Sequence, residues 1–304
     1  MTTELNVREE VARAVRDGKP VVALESTILA HGLPHPRNLE VAHRLERVVR
    51  DGGAVPATIA VFDGRPVVGL SGAELERVCE PEAGLAKLSL RDVGAAVGLG
   101  RSGATTVAGT SALAAAAGIG VFATGGLGGV HLGAERTWDV SADLGVLAKI
   151  PTVVVCSGVK SVLDIAATLE VLETSSVPVL GYRTDEFPAF YLRSSGHRVA
   201  WRVDDAKEAA AVIAAHRAYA DSGVLLANPI PEESEMDRER HDELLAAGLA
   251  KLRENGVRGK DVTPALLEHF HTASGGTSIE ANEALVLNNA KLAAEVAVAL
   301  AARG

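Results

Sequence analysis

The 304-residue sequence has few aromatic residues, only two cysteines and no excess of positive charge. Phe, Trp and Tyr together make up 3% of the chain, so it lacks the stacking platforms typical of proteins that bind single-stranded nucleic acid. Thirty Lys and Arg residues stand against 39 Asp and Glu residues, a formal charge of −9, which argues against a general basic surface. We therefore expect no nucleic-acid partner, and an anionic substrate would need individual Lys, Arg or backbone N–H groups.

Cys79 and Cys156 are too few for a disulfide framework and lack the CxxC spacing of redox or zinc sites. Residues 1–20 have neither the apolar core nor the small-residue cleavage site of a signal peptide. These features predict a cytoplasmic protein. The uncharged stretch 102–130 is long enough to cross a membrane, but glycines interrupt it repeatedly, which indicates buried core and no membrane partner.

Short runs rich in Val and Ile recur between segments of helical periodicity. Such runs are typical of strands buried on both faces, and their alternation with helices predicts an α/β fold with a largely parallel central sheet flanked by helices. The predicted strands are 21–24, 58–62, 119–123, 152–156, 178–182 and 224–227. No linker or repeat divides the chain, so we expect a single compact domain over residues 1–304.

Helical patterns fill the remaining chain. Residues 39–49 and 163–169 carry apolar residues at three- and four-residue spacing, and the charged stretch 231–261 indicates a solvated helix. The Ala-rich segment 278–302 is apolar around much of its circumference. It is therefore either buried in the core or packed in the interface of a homo-oligomer.

Lys160 follows the predicted strand 152–156, and in parallel sheets functional sites gather at the carboxyl ends of strands. We expect it on the first turn of a helix, where the positive end of the helix dipole favours the neutral amine. A neutral amine can attack a carbonyl and form a Schiff base. A lysine at this place can also reach solvent or bind a phosphate, and position alone favours those roles.

Glu25 ends the first predicted strand, so its carboxyl group is expected to be partly desolvated. Such a group suits a general acid or base, although a helix cap or an ion pair explains the position equally well.

Asp139 and Asp143 are four residues apart, which places both carboxylates on one face if the segment is helical. Oxygen ligands of this kind suit Mg²⁺ or Mn²⁺, but an Asp/Ser helix cap is the better interpretation of this segment alone. The glycine-rich segment 125–129 could hold an anion with backbone N–H groups. Three loop histidines lack helical metal-ligand spacing, which favours surface or hydrogen-bonding roles for them: His31, His35 and His131.

Seven segments spread along the chain have a recognisable pattern: ALESTILAHGLPHP, VPATIAV, GATTVAGT, FATGGLGGVH, TWDVSADL, ANPIPE and LVLNNAKLAAEVA. Together and in this order they resemble the pseudouridine-5′-phosphate glycosidase family, from about residue 5 to the C-terminus. The resemblance implies cleavage of the carbon–carbon glycosidic bond of pseudouridine 5′-phosphate to uracil and ribose 5-phosphate, with a divalent metal, typically Mn²⁺. It also implies a homo-oligomer, with a trimer as the expected assembly.

The resemblance further implies roles for individual residues. Glu25 matches the proton donor, Lys160 matches the lysine that forms an imine with the sugar, and Asp139 matches the metal ligand. The implied substrate-binding residues are Lys87, Val107, Ser141, Ala142 and Asp143, with His131 and Asn282 approaching the substrate. Some members have Phe in place of Trp138 and Ala in place of Ser157, and neither difference removes a reactive group.

The chemistry of a C-glycoside explains these residue types. Its leaving carbon offers no heteroatom for an acid to protonate, so the two carboxylates of ordinary glycosidases do not suffice. If the ribose opens to its aldehyde and Lys160 condenses at C1′, the iminium accepts electrons while the uracil carbon is protonated. Lys87 would then balance the charge of the 5′-phosphate.

Two alternatives stay open from the sequence. A Schiff-base lyase or aldolase acting on another sugar phosphate would keep both lysines and change the leaving group. A non-catalytic nucleotide-binding module would be expected to have lost Glu25 or Lys160, and both are present.

Overall fold

Strands and helices alternate along the chain. The computed structural model describes residues 5–160, 162–257 and 262–303. Its strands are β1 (Asn6–Val7), β2 (Val21–Glu25), β3 (Val55–Phe62), β4 (Arg65–Val68), β5 (Ala86–Leu88), β6 (Gly103–Thr105), β7 (Val121–Ala123), β8 (Val130–His131), β9 (Val153–Cys156), β10 (Leu163–Asp164), β11 (Val179–Tyr182), β12 (Trp201–Val203) and β13 (Val224–Ala227).

Helices lie between the strands along the chain and after the last of them. They are α1 (Glu9–Arg16), α2 (Arg37–Asp51), α3 (Gly72–Cys79), α4 (Leu90–Gly98), α5 (Val107–Ala116), α6 (Ala134–Thr137), α7 (Ala142–Leu147), α8 (Ile165–Thr174), α9 (Ala206–Arg217), α10 (Arg238–Glu254), α11 (Val262–Ala273) and α12 (Thr277–Ala301). A π-helical turn over Ile28–Gly32 follows β2.

The large sheet has the strand order β1-β4-β3-β2-β7-β9-β13-β11-β12, and β5 and β6 extend it beside β3. Every neighbouring pair from β3 to β12 along this order is parallel. Antiparallel pairing joins β3 to β4 and to β6. All six predicted strands lie in the parallel part, as β2, β3, β7, β9, β11 and β13, which confirms the α/β fold with a single compact core.

Register brings the carboxyl ends of the central strands to one edge. Ala123 of β7 lies opposite Val155 of β9, whose neighbour Cys156 lies opposite Ala227 of β13. Because these strands are parallel and end together, the polar residues that end or directly follow them lie close to one another. Those residues are Glu25, Thr124, Ser157 and Asn228.

Helix α12 is a core helix. By length and composition alone it could cross a membrane, but half of its apolar window is buried inside the protein. It packs between α2 and α9 and contacts β2, β7 and β9. Of the two expectations for segment 278–302, burial in the core is the one that the structure confirms.

The expectation that Lys160 lies on the first turn of a helix is wrong. Helix α8 begins only at Ile165, where the Asp164 side chain accepts a hydrogen bond from the N–H of Ala167 at 2.9 Å. The short strand β10 lies between Lys160 and this helix and pairs with β8. Lys160 therefore lies in a loop, and the helix-dipole argument does not apply to it.

The charged segment 231–261 was predicted to form a solvated helix, but only part of it is α-helical. A 3₁₀ turn over Glu232–Ser234 precedes α10, which ends at Glu254. Residues 258–261 of that prediction lie outside the described residues.

Candidate active site

A cavity that is partly open to solvent lies at the carboxyl ends of the central strands. The strand ends and the π-helical turn form its floor and walls, and helix α11 contributes Thr263, Pro264 and Leu267. Four residues predicted to belong to the site line this one cavity: Glu25, Lys87, Lys160 and Asn282. Residues from seven separate stretches of sequence are thus brought together by the parallel sheet and the helices packed on it.

Glu25 is the last residue of β2, and only 7% of its surface is exposed. Burial raises the pKa of its carboxyl group above the ordinary value for glutamate. The charge of Lys160 and a hydrogen bond donated by the Thr124 hydroxyl act in the opposite direction but do not reverse the shift. The cavity therefore favours the protonated carboxyl, the form that a proton donor needs.

Lys160 is fixed by the backbone on both sides. Its N–H donates to the carbonyl of Leu127 at 3.2 Å, and its carbonyl accepts from the N–H of Leu163 at 3.0 Å. Just before it, Gly158 has a φ of +77°, and a Cβ there would lie 1.9 Å from the carbonyl oxygen of Pro188. Only glycine fits such a position, so the loop that carries Lys160 follows one path.

Lys87 on β5 and His31 in the π-helical turn line the same cavity. Burial, and then the charge of Lys87, lower the pKa of His31 below the ordinary histidine value. His31 is therefore neutral near pH 7. The sequence indicated only a surface or hydrogen-bonding role, because nothing near His31 in the chain shows that β5 lies beside it.

Asn282 of α12 is 2% exposed, and its Oδ1 has no hydrogen-bond partner among the described residues. The hydroxyl of Thr27, which also lines the cavity, is buried without a partner as well. Buried polar atoms are normally satisfied, so unpaired ones on a cavity wall are suited to a ligand. This agrees with the implied approach of Asn282 to the substrate.

Asp143 is occupied by the protein itself. Its carboxylate accepts from the N–H of Ala108 at 3.0 Å and from the N–H of Gly128 at 2.9 Å. The glycine-rich segment 125–129 was expected to hold an anion with its backbone N–H groups. At Gly128 the anion that it holds is the carboxylate of Asp143. Asp143 links this segment to the first turn of α5.

The other residues of the implied substrate segment lie at helix starts. Ser141 caps α7, and its hydroxyl accepts from the N–H of Asp143 at 3.2 Å, which confirms the helix-cap interpretation. Ala142 is the first residue of α7, and Val107 is the first residue of α5. The cavity wall is formed by other residues, so the structure does not bring these three into the group around Glu25 and Lys160.

Asp139 and His131 form a separate pair outside this cavity. His131 Nδ1 lies 3.9 Å from Asp139 Oδ2, and the His131 N–H donates to the Asp139 carbonyl at 3.0 Å. Asp139 precedes α7, so the segment from Asp139 to Asp143 is not one helix and the condition for a shared helical face is not met. Burial lowers the pKa of His131; the charge of Asp139 opposes this shift, and the charges of Lys87 and Lys160 add to it.

This pair suits only a weakly held metal. Within the described residues no group of three or more His, Cys, Asp or Glu side chains could hold a metal ion. One carboxylate, with an imidazole beside it, leaves most coordination positions to water or substrate, which Mg²⁺ and Mn²⁺ accept.

A buried amide ties α12 to the strand ends. The Asn289 Nδ2 donates to the carbonyl of Thr124 at 2.8 Å and to the hydroxyl of Ser157 at 3.1 Å. Its Oδ1 accepts from the Asn228 side chain at 2.9 Å. Asn289 is fully buried and holds the residues that follow β7, β9 and β13 in place. Sequence reasoning missed this role, although an Asn in so apolar a helix was a usable signal.

Comparison with known proteins extends over almost the whole chain. The family model described as "Indigoidine synthase A like protein" matches residues 10–299. The pseudouridine-5′-phosphate glycosidase of Salinispora tropica is 55% identical over 97% of this chain and 91% of the relative. The enzyme of the same name from Herpetosiphon aurantiacus is 54% identical over 98% of each chain.

Two solved structures are similar to this one. The prealnumycin C-glycosynthase AlnA in complex with ribulose 5-phosphate superposes with a TM-score of 0.91 at 41% identity, covering 100% of this chain and 99% of the other. An indigoidine synthase A-like protein from Thermotoga maritima superposes with a TM-score of 0.88 at 38% identity, covering 98% and 96%. The similarity includes the strand ends that form the cavity.

Proposed function

Because the chain belongs to the indigoidine synthase A like family and shares about half of its residues with pseudouridine-5′-phosphate glycosidases, we infer that it is an enzyme with this activity. It cleaves the carbon–carbon glycosidic bond of pseudouridine 5′-phosphate to uracil and ribose 5-phosphate. One structural observation supports this best: a buried carboxyl, whose pKa burial raises, and a lysine line a single cavity.

We propose that Lys160 forms the covalent bond to the sugar. C1′ of a C-glycoside carries only one oxygen, so the ribose cannot open to an aldehyde while the C1′–C5 bond is intact, and the opening expected from the sequence is replaced here. The C1′–O4′ bond breaks as Glu25 gives its proton to O4′, with electrons supplied by the uracil ring, which loses its N1 proton. The amine of Lys160 then bonds to C1′ and releases a proton, which restores the ring. Protonation of the uracil carbon allows the C1′–C5 bond to break while the lysine nitrogen forms an iminium with C1′. Water hydrolyses this iminium and releases ribose 5-phosphate.

The remaining residues bind the substrate in this proposal. Lys87 balances the phosphate charge, which a protein of net charge −9 must do locally. Asn282 supplies its unpaired Oδ1 to a polar group of the substrate. The starts of α5 and α7, where Val107, Ser141, Ala142 and Asp143 lie, are the further substrate-binding positions that the family resemblance implies.

The experiment that tests this function measures uracil released from pseudouridine 5′-phosphate by the purified protein with Mn²⁺. Uridine 5′-phosphate, which carries the same base and phosphate on a C–N bond, is the control. We expect uracil from the first compound only. Absence of uracil from both, in folded and metal-supplied protein, would favour a lyase or aldolase acting on another sugar phosphate.

We further propose that Asp139, with His131 beside it, holds a divalent metal ion. We expect this ion to be Mn²⁺. A bound cation there would supply positive charge close to the sugar phosphate. EDTA is expected to lower the activity, Mn²⁺ to restore it, and the Asp139→Ala variant to respond to neither, as measured by uracil release. Full activity of the unaltered protein in EDTA would contradict a role for the metal.

The cytoplasmic location and the homo-oligomer stay predictions. Light scattering of the purified protein measures the second, and a mass three times that of the chain would support the trimer.

A further inference from the structure

Phe190 has an unusual backbone conformation at the wall of the cavity. Its φ is +63°, in the left-handed region that bulky side chains rarely adopt. Such conformations cost free energy and persist where the surrounding structure fixes them, most often at sites that act on ligands. The chain has only five Phe residues, and this one lines the same cavity as Lys160.

Hydrogen bonds hold the Phe190 backbone in this conformation. Its N–H donates to the carbonyl of Ser157 at 2.9 Å, three residues before Lys160. On either side, Ala189 and Leu192 exchange N–H···O=C bonds at 2.9 and 3.3 Å. The loop is thus fastened to the end of β9, and the position of the ring is coupled to the segment that carries the lysine.

The Phe190 ring and the Lys160 side chain converge on one glycine. A Cβ at Gly126 would lie 2.7 Å from Cδ2 of Phe190 and 3.4 Å from Cγ of Lys160. Any side chain at position 126 would therefore displace the ring. The absence of a side chain there lets an aromatic wall stand directly beside the stem of the lysine.

Because the Phe190 ring lies close to the Lys160 side chain, the proposed function determines which part of the substrate contacts the ring. The carbon attacked by Lys160 is C1′, and the pyrimidine ring is bonded directly to it. The base must therefore lie within one bond of the carbon that the lysine amine reaches. The phosphate, four carbons further along the ribose, requires charged partners such as Lys87 and would be poorly placed against an apolar ring.

We propose that Phe190 is a specificity-determining residue, forming the apolar wall against which the pyrimidine base packs. This inference rests on the proposed function. The wall holds the flat uracil ring beside C1′ while the carbon–carbon bond breaks or forms, and it takes no part in binding the sugar phosphate. Contact between a base and an aromatic side chain is a general means of binding nucleobases without reading their hydrogen-bonding edges.

The test uses the synthesis direction, in which uracil and ribose 5-phosphate bind as separate substrates. For Phe190→Leu we expect the KM for uracil to rise about tenfold, as the loss of base–aromatic contact would produce. The KM for ribose 5-phosphate and the yield of its borohydride-trapped adduct are expected to stay within about twofold of the unaltered enzyme, a change too small to signify a lost contact. Phe190→Met, which also keeps an apolar side chain without a ring, serves if the leucine variant does not fold.

Phe187→Leu is the matched control. Phe187 is fully buried in the same segment but does not line the cavity, so its replacement tests whether any lost ring in this loop alters uracil binding. We expect its KM for uracil to be unchanged.

Two results would overturn the proposal. One is an unchanged KM for uracil in the Phe190 variants. The other is a parallel loss of the ribose 5-phosphate adduct, which would show that the ring serves to position Lys160. Failure of the unaltered enzyme to form either the adduct or pseudouridine 5′-phosphate would instead contradict the proposed function, so the two failures are distinguishable.

Discussion

Replacing Lys160 by alanine is expected to abolish turnover and to leave no adduct when the protein is treated with borohydride and ribose 5-phosphate. The proposed pathway has no other residue that can bond to C1′, and loss of a covalent nucleophile typically costs a factor of about 10⁴ or more in kcat. Uracil release measures the first effect, and mass spectrometry of the reduced protein measures the second.

Lys87→Met provides the matched control, since it removes a lysine from the same cavity and leaves the nucleophile in place. Its adduct should still form, at higher ribose 5-phosphate concentration because the phosphate has lost a cationic partner. An adduct that persists in Lys160→Ala would remove Lys160 from the covalent role.

The Glu25→Gln variant is expected to lose activity by about 10²–10⁴-fold, the range typical for loss of a general acid. Glutamine has nearly the same shape and accepts the hydrogen bond from the Thr124 hydroxyl, but it has no proton to give to O4′. The measurement is kcat/KM for uracil release. Activity close to that of the unaltered enzyme would exclude Glu25 as the proton donor.

The raised pKa of Glu25 also gives this prediction a pH dependence. The donor acts in its protonated form, so kcat/KM should fall as pH rises through that pKa. In Thr124→Val the ionised carboxylate loses the hydrogen bond that favours it, the pKa rises further, and the fall should move to higher pH. A fall that stays at the same pH in Thr124→Val would show that it belongs to another group.

The free energy of unfolding should also depend on the ionisation of Glu25. Because the folded-state pKa of Glu25 is above its unfolded value, its contribution to stability is fully present at low pH and is lost as pH rises through the folded value. Glu25→Gln removes this pH-dependent loss. Urea unfolding above and below the pKa measures the difference.

The sequence contained enough to predict the sheet and the approximate place of the chemistry. Strands buried on both faces, such as Val224–Ala227, are unbroken apolar runs, and a run of that kind is a local signal. Glu25 could be identified for a related reason, because a charged residue that directly ends such a run must lie at an edge of the sheet. The family resemblance then added Lys87 and Asn282, which no local pattern distinguishes.

What the sequence did not reveal depends on contacts between distant parts of the chain. Asn289 bonds to Thr124 across 165 residues, and no periodicity records that pairing. The short strand β10 delays the start of α8 past Lys160 because it pairs with β8, about 30 residues earlier. Phe190 was missed because its significance comes from a backbone angle and from a glycine at position 126, and neither is visible in a pattern of apolar residues.

The hydrogen bonds of Asn289 to the residues after β7, β9 and β13 determine when, during its synthesis, the enzyme becomes active. A ribosome delivers Glu25 and Lys160 long before α12, which follows every other part of the cavity in the chain. Until Asn289 emerges, the Thr124 carbonyl, the Ser157 hydroxyl and the Asn228 side chain lack the amide that joins them. A chain interrupted before α12 thus carries the lysine without the surroundings that direct it to one substrate, and translation of this helix is the step that completes the catalyst.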